Sequence, residues 1–272
     1  MRIAAALVAF AAALLGGALA IGVASGPTRD VPLPPLAVEQ DPAAPGEARH
    51  APRRVAAPAC REGDVVSMRD DVTAHGGEAR RALNVFAAPG GAVLHRFGRL
   101  NANGVPTVFG ILGARLDGSC APAWYRVQLP LRPNGRTGWL RASDVRVTTV
   151  DTRIVVDLAD RRVTLFKAGE RVLQATAAIG KAGTPTPTGS YYVNQRLLAS
   201  DPGGPFGPGA IGISAFSPTL KDWVQGGPIA IHGTNVPHLL GEAVSFGCVR
   251  VRNGDLLRLI DLVPEGTPVV IR

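Results

Sequence analysis

A histidine and a cysteine lie sixteen positions apart in the last quarter of the chain, at His232 and Cys248. His232 ends a short apolar run that is typical of a strand, and Cys248 follows Gly247, where a small residue lets the backbone approach a ligand. An imidazole beside a thiol can take its proton, and the resulting thiolate is a nucleophile. A buried structural cysteine and a hydrogen-bonded histidine would show the same two residues, so the pair alone leaves both interpretations open.

The residues around the pair favour the nucleophile. They occur in the order His232-Gly233-Thr234, then Ser245-Phe246-Gly247-Cys248-Val249-Arg250, then Asn253. This order resembles the catalytic motif of the L,D-transpeptidase family of bacterial cell-wall enzymes. Thr-Pro-Thr-Gly at 186–189 and the segment 207–217 match the same family, so the resemblance covers roughly residues 151–272. One position departs from the family, because Phe246 stands where most members have a second histidine.

The resemblance implies a reaction. Cys248 would attack the carbonyl of the third residue of a peptidoglycan stem peptide and expel the terminal D-amino acid, leaving a thioester. An amine of a second stem would then take the acyl group; with water instead, the protein would be an L,D-carboxypeptidase. His232 would be the base, with the carbonyl of Gly233 fixing its tautomer. Phe246 leaves a third possibility open, a catalytically inactive protein that only binds wall peptide.

The resemblance also places substrate contacts around the nucleophile. Backbone N–H groups of Gly247 and Cys248 would form an oxyanion hole. Arg250 would grip a substrate carboxylate, or alternatively form a structural salt bridge. Ser245 would either donate to the substrate or tie its own loop, and Thr234 completes the predicted substrate-binding set. This chemistry needs no cofactor.

The chain has three cysteines. If Cys248 is the nucleophile, Cys60 and Cys120 remain to form a disulfide, as is common in exported proteins. The other interpretation is three unpaired, buried thiols.

The N-terminal residues predict export. Residues 3–23 are nearly all Ala, Leu, Val, Ile and Gly, after Arg2, and Ala-Leu-Ala at 18–20 resembles a cleavage site. Residues 1–25 are therefore a signal peptide or a membrane anchor, and both place the remainder in the cell envelope, in the periplasm or the cell wall. Residues 26–59 are rich in Pro and Ala and predict an extended linker.

Two β-rich domains should follow the linker, because short strand-like runs alternate with Gly and Pro. In residues 60–148, the short strand-like runs, Leu-Asn-Val at 83–85 and Thr-Gly-Trp-Leu at 137–140 resemble bacterial Src-homology-3-like domains. That resemblance implies a small β-barrel that binds wall peptide or glycan, or that serves only as a spacer.

Residues 150–272 should form a β-sandwich-like L,D-transpeptidase catalytic domain with one short helix, again by resemblance. The helix is expected at 254–263, with Asn253 as its cap. The long Gly- and Pro-rich loop at 200–209 is of the kind that shapes a substrate site.

The formal net charge of +8 limits the range of partners. The basic excess is larger in residues 60–148 than after them, which suits anionic wall polymers, although an Arg-rich composition explains it equally well. Nucleic acid is not an expected partner of an exported chain without a binding motif. No metal site is inferred, because the remaining N-terminal histidines have no ligand spacing: His50, His75 and His95.

Overall fold

The computed structural model describes residues 60–272, so the predicted signal peptide or anchor (1–25) and the linker (26–59) lie outside the described residues. Residues 60–272 form two large β-sheets, a two-stranded sheet and one α-helix, which confirms the predicted mainly β fold class. Within this part of the chain, no helix combines the length and the apolar character needed to cross a membrane.

The N-terminal sheet contains eight strands. They are β1 (Val65–Ser67), β2 (Ala74–Ala79), β3 (Leu83–Phe86), β4 (Val93–Phe97), β5 (Val108–Leu116), β6 (Pro122–Gln128), β7 (Thr137–Arg141) and β8 (Val145–Val150). Seven of them pair in the order β4-β3-β7-β6-β5-β2-β8, and β1 pairs with β5. Alternate side chains of these strands form one apolar core, which includes Val85, Phe109, Ile111, Val127 and Leu140. The resemblance of this sheet to a Src-homology-3-like barrel stays a prediction.

A disulfide joins Cys60 to Cys120, which lie 60 positions apart in sequence and have their Cα atoms 5.8 Å apart. Cys120 lies in the turn between β5 and β6, so the disulfide holds the start of the described chain against that turn. Cys248 is the one unpaired cysteine of residues 60–272.

The C-terminal sheet also contains eight strands, in the order β11-β10-β9-β18-β13-β14-β15-β17. They are β9 (Thr152–Asp157), β10 (Arg162–Lys167), β11 (Glu170–Thr176), β13 (Gly189–Leu198), β14 (Gly209–Phe216), β15 (Pro228–His232), β17 (Val249–Arg250) and β18 (Pro268–Ile271). The strands β12 (Ile179–Gly180) and β16 (Ala243–Ser245) form a short parallel pair beside it.

The single α-helix of the described residues, α1 (Asn253–Leu262), follows β17 directly. Its apolar side chains Leu256 and Leu259 are fully buried in the core of the C-terminal sheet. The prediction that Asn253 caps this helix is wrong. The N-cap residue is Arg252 and no side chain caps the helix, because the Asn253 side chain binds a different segment, the backbone N–H of Thr234.

The two large sheets pack directly on each other. The Tyr192 side chain of β13 is fully buried, and its hydroxyl donates to the carbonyl of Val108 in β5 at 3.1 Å. Gly110 makes this approach possible, since a Cβ there would lie 2.8 Å from the Tyr192 ring. Gly266, whose φ of +94° suits only glycine well, similarly approaches the backbone of Gly76. Backbone contacts this close fix the N-terminal sheet firmly beside the C-terminal one.

We expect the Cys60–Cys120 disulfide to stabilise the fold mainly by restricting the unfolded chain. The loop that it closes spans 60 residues, for which the chain-entropy relation gives about 4 kcal/mol. The Cys60→Ser/Cys120→Ser double variant should therefore lose about 4 kcal/mol of unfolding free energy, measured by urea denaturation. Denaturation of the wild-type protein under reducing conditions is the control, and an unchanged midpoint in both would contradict the expectation.

Candidate active site

Three neighbouring strands of the C-terminal sheet separate apolar side chains from small and polar ones. On one face, alternate residues of β14, β15 and β17 belong to the hydrophobic core: Ile211, Ile229, Ile231 and Val249. The residues between them line a cavity of about 380 Å³: Ala210, Gly212, Ala230, His232, Cys248 and Arg250. Because successive side chains of a strand point to opposite faces, the core and the cavity are built by the same three segments. We call this space the cysteine cavity.

The structure brings the predicted pair together. Strands β15 and β17 run parallel with Ile231 opposite Val249 and His232 opposite Arg250. Cys248 immediately precedes β17 and lies beside Ala230, whose backbone N–H favours the thiolate and so lowers the thiol pKa. The Cys248 Sγ lies 4.0 Å from the carbonyl oxygen of Pro228.

His232 is held in one orientation. Its Nδ1 lies 2.6 Å from the carbonyl oxygen of Gly233, and since a carbonyl only accepts, Nδ1 carries the proton and Nε2 is free to accept one. The residue is 4% exposed, and the ring of Phe206 lies 4.8 Å from its own, centroid to centroid. This burial lowers the pKa of His232 to about 4; the Gly233 hydrogen bond raises it and the charge of Arg250 lowers it further.

Cys248 is partly exposed at the wall of the cavity. Desolvation raises the pKa of its thiol, while the N–H of Ala230 and the charge of Arg250 lower it. With a raised thiol pKa and a lowered imidazole pKa, Cys248 and His232 are both uncharged at neutral pH. If Cys248 is the nucleophile, its thiolate would form by proton transfer during the attack, rather than being stored as a thiolate-imidazolium ion pair.

Arg250 has no salt-bridge partner among residues 60–272. Its Nε is buried and makes no hydrogen bond with any described residue. No Asp or Glu lines the cysteine cavity, so the guanidinium is the dominant charge there. Of the two predicted roles, the structural salt bridge is absent from the described structure, and the carboxylate grip remains.

Ser245 and Gly247 form hydrogen bonds within their own loop. The Ser245 Oγ donates to the carbonyl of Cys248 at 2.6 Å and accepts from the N–H of Gly247 at 3.1 Å. Ser245 is buried at the edge of the cysteine cavity, and both contacts use its hydroxyl to hold the loop. The Gly247 N–H is engaged by this contact, which disagrees with its predicted use in an oxyanion hole; only the N–H of Cys248 remains for that prediction. Gly247 has a φ of +115°, which explains why a glycine precedes the cysteine.

The polar groups of Thr234 also form hydrogen bonds within the protein. It is buried, its N–H donates to Asn253 Oδ1 at 2.8 Å, and its Oγ1 accepts from the N–H of Val236 at 3.0 Å. These contacts fix the turn after His232 instead of presenting a hydroxyl to a substrate. Gly233 is packed so closely that a Cβ there would overlap the Asn253 Oδ1. Asn253 and Gly233 together therefore hold the carbonyl that orients His232.

Two further loops border the cavity. From the predicted loop at 200–209, Pro205 and Phe206 line it, as expected. Trp223, which the sequence reasoning missed, lies on the other side with its ring 5.5 Å from that of Phe246. The Nζ of Lys181 lies 4.7 Å from the Phe246 ring. Phe246 is thus part of an aromatic and cationic rim beside Cys248.

The loop that carries Trp223 is fastened by the N-terminal sheet. We call residues 217–227 the tryptophan loop. Arg132 donates through Nη2 to the carbonyls of Ser217 and Gly226, at 2.7 and 2.6 Å, at the two ends of this loop. Asn134 exchanges two hydrogen bonds with the backbone of Phe216, each of 2.9 Å. A lone tryptophan among Gly, Gln and Asp was the only sign of this loop in the sequence.

His238 is exposed and does not line the cysteine cavity. No cluster of three or more His, Cys, Asp or Glu side chains that could hold a metal ion is found within residues 60–272.

The C-terminal part of the chain is similar to known proteins. A family model for the L,D-transpeptidase catalytic domain, YkuD, matches residues 151–271. The YkuD protein of Bacillus licheniformis, named as an L,D-transpeptidase, is 39% identical over 123 residues, which are 45% of this chain and 67% of that protein. Its Bacillus subtilis counterpart is 37% identical over the same shares of both chains.

A solved structure of Bdellovibrio bacteriovorus Bd1075 is 28% identical, with a TM-score of 0.37 over 45% of this chain; the match spans 48% of that structure, about half its length. The extent and identity of the Bacillus matches place this chain in the L,D-transpeptidase family. The matched residues include His232 and Cys248 and exclude the N-terminal sheet.

The low pKa of His232 predicts how the reactivity of Cys248 depends on pH. A protonated imidazole cannot accept the thiol proton, so the rate of acylation by a carbapenem should fall only as the pH drops through about 4. Between pH 5 and pH 7 that rate should be nearly level, as followed by intact mass. A fall of the acylation rate as the pH drops through about 6.5, the ordinary pKa of histidine, would contradict the proposed effect of burial.

Proposed function

We propose that the protein is a cysteine-dependent L,D-transpeptidase that acts on peptidoglycan stem peptides through a thioester acyl-enzyme. The observation that carries the proposal is the cysteine cavity, in which His232, Cys248 and an unpaired Arg250 share one face of adjacent strands. A nucleophile, a base and a cation in one acid-free cavity suit acyl transfer from a substrate that bears a carboxylate.

The donor half-reaction follows from this geometry. Arg250 holds the carboxylate of the terminal D-amino acid, which places the preceding carbonyl carbon near Cys248. Nε2 of His232 takes the thiol proton as sulfur attacks, and then delivers it to the departing amine of the D-amino acid. The N–H of Cys248 supports the oxyanion. An uncharged Cys248 and an uncharged His232 in the resting protein suit this order of steps, because each proton moves only when the bond next to it forms or breaks.

Product analysis decides among the candidate functions. The full-length protein is incubated with a purified tetrapeptide stem, and the products are identified by mass. Two stems joined with loss of one D-amino acid support the transpeptidase. The tripeptide alone supports an L,D-carboxypeptidase, in which water takes the acyl group. An unchanged tetrapeptide that nevertheless binds supports the inactive wall-binding protein, which the loss of the second histidine at Phe246 favours.

Single substitutions should separate the nucleophile from the base. Cys248→Ala should abolish the single carbapenem adduct seen by intact mass, because no other unpaired thiol is present in residues 60–272. His232→Ala should slow acylation by about 10² to 10⁴. His238→Ala is the matched control and should stay near the wild-type rate. An adduct that persists in Cys248→Ala, or a larger defect in His238→Ala, would refute the assignment.

Phe246 should make the nucleophile slower than in relatives with a second histidine. Its apolar ring lines the cysteine cavity and helps to disfavour the thiolate. Phe246→His should therefore raise the acylation rate near neutral pH, whereas Phe246→Leu, which keeps an apolar wall, should not. If the wild-type protein is never acylated and Phe246→His gains acylation, the inactive wall-binding function is correct for the natural chain.

We also propose the domain arrangement that the sequence predicts. Residues 1–25 would export or anchor the chain in the cell envelope, and 26–59 would be the linker. Residues 60–148 would form a Src-homology-3-like domain and 150–272 the catalytic domain. The separate apolar cores of the two large sheets support the last boundary.

A further inference from the structure

A second cavity, of about 340 Å³, lies where the two large sheets meet. We call it the junction cavity. Its N-terminal wall comes from β4 and the segment after it, including Arg96, Asn101 and Asn103. Its other wall comes from the C-terminal sheet and the tryptophan loop. The first wall lies outside residues 151–271, so the family match does not include it.

The junction cavity shares a wall with the cysteine cavity. Five residues line both: Asn103, Asn194, Gln195, Gln225 and Pro228. Among these shared residues, Pro228 contacts Cys248 directly, because its carbonyl oxygen lies 4.0 Å from the Cys248 Sγ. A ligand in the junction cavity therefore lies next to the thioester that Cys248 would form.

The shared wall is rich in carboxamides. Gln195 Oε1 accepts from Asn101 Nδ2 at 2.8 Å and from Asn103 Nδ2 at 3.0 Å. Gln225 Nε2 in turn donates to Asn103 Oδ1 at 3.0 Å. The Oδ1 of Asn194 is buried without a hydrogen-bond partner in the described structure. Carboxamides pair with peptide N–H and C=O groups, and a buried unpaired acceptor favours a ligand that brings a donor.

The two arginines that line the cavities are not neutralised by acidic residues. Arg96 is exposed and forms no ion pair with any described residue, and Arg250 is likewise unpaired. No Asp or Glu lines either cavity. This environment attracts carboxylates, and it favours the uncharged form of an amine, which is the form that can attack a carbonyl.

We infer that the junction cavity binds the acceptor of the transfer reaction, a stem peptide with a free side-chain amine and carboxylates. This inference rests on the proposed function. Arg96 would pair with an acceptor carboxylate, and the shared carboxamides would bind its peptide groups. The N-terminal sheet is then part of the acceptor site.

The transfer step balances without a further reactant. The uncharged amine nitrogen attacks the carbonyl carbon of the thioester, so that a C–N bond forms as the C–S bond breaks. Sulfur leaves with the bonding electron pair as the thiolate. His232 Nε2 takes the proton that the nitrogen loses and returns it to the Cys248 sulfur. The enzyme is restored, and the two stems are joined by an amide.

The test uses a donor peptide that cannot accept an acyl group and an acceptor peptide that cannot supply one. The donor is a tetrapeptide stem whose third-residue amine is acetylated, and the acceptor is a tripeptide stem with that amine free. The ratio of transfer to hydrolysis product is measured by mass as the tripeptide concentration is raised. The variants are Arg96→Glu and Arg96→Lys in the full-length protein. Arg99→Glu is the matched control, since Arg99 is an exposed neighbour that does not line the cavity.

Arg96→Glu should lower the transfer-to-hydrolysis ratio about tenfold, the usual effect of losing one charge-assisted hydrogen bond. Arg96→Lys should keep most of the transfer, and Arg99→Glu should match the wild-type protein. The ratio is independent of how fast the acyl-enzyme forms, so damage to the donor half-reaction does not imitate the effect. Equal ratios for Arg96→Glu and Arg99→Glu would overturn the inference.

A binding measurement separates this inference from the proposed function. If the wild-type protein forms no acyl-enzyme, the proposed function fails, but tripeptide affinity still tests the cavity. Titration of the Cys248→Ala protein with the tripeptide should give a Kd about tenfold higher when Arg96→Glu is added, and not when Arg99→Glu is added. Tripeptide bound in the cysteine cavity would not respond to Arg96, so an unchanged Kd would also overturn the inference.

Discussion

The site depends on one constraint, the strict alternation of side chains along β14, β15 and β17. Each of these strands buries its branched aliphatic residues on one face, which fixes the register of the sheet. With the register fixed, His232 and Cys248 must emerge on the opposite face. A shift of one residue in β15 and β17 would send both into the core, at the cost of burying two polar groups and exposing the aliphatic residues Ile229, Ile231 and Val249. The relative placement of the two side chains is thus set by the same packing that stabilises the sheet.

The same burial sets the protonation state of the pair. His232 loses its charge because it is enclosed between the sheet and Phe206, and Arg250 adds a repulsive cation. The carbonyl of Gly233 offsets part of this effect and, in doing so, keeps Nε2 as the acceptor. The same enclosure leaves a thiol that ionises with difficulty, and under the proposed function this would limit its reaction with electrophiles outside the cavity. Phe246 extends this apolar enclosure to the rim.

Much of this arrangement could be predicted from the sequence, and the failures are of two kinds. Alternation and turn residues predicted the strands around the site, and the motif predicted His232, Cys248 and Arg250. The motif could not show which polar groups would form hydrogen bonds within the protein. Ser245 and Thr234 carry side chains that could serve a substrate, yet each binds backbone only two or three residues away. Asn253 could cap the helix, yet its side chain binds the backbone of Thr234, 19 residues earlier. Local sequence cannot report a partner that lies many residues away, and for the same reason Trp223 and its anchor Arg132 were missed.

The contacts of Arg132 change what the N-terminal sheet does in this molecule. A spacer or a tethered wall-binding domain would need no contact with the catalytic loops. Here one guanidinium holds both ends of the tryptophan loop, and Asn134 fixes the strand end that leads into it. Gln225 on that loop bonds to Asn103 of the N-terminal sheet, in the wall between the two cavities. A loop held at three points by another sheet loses much of its conformational freedom, and its residues are pre-organised for a ligand. The two sheets therefore hold the site jointly: the C-terminal sheet carries His232 and Cys248, and the N-terminal part of the chain fixes the tryptophan loop at the rim of the cysteine cavity.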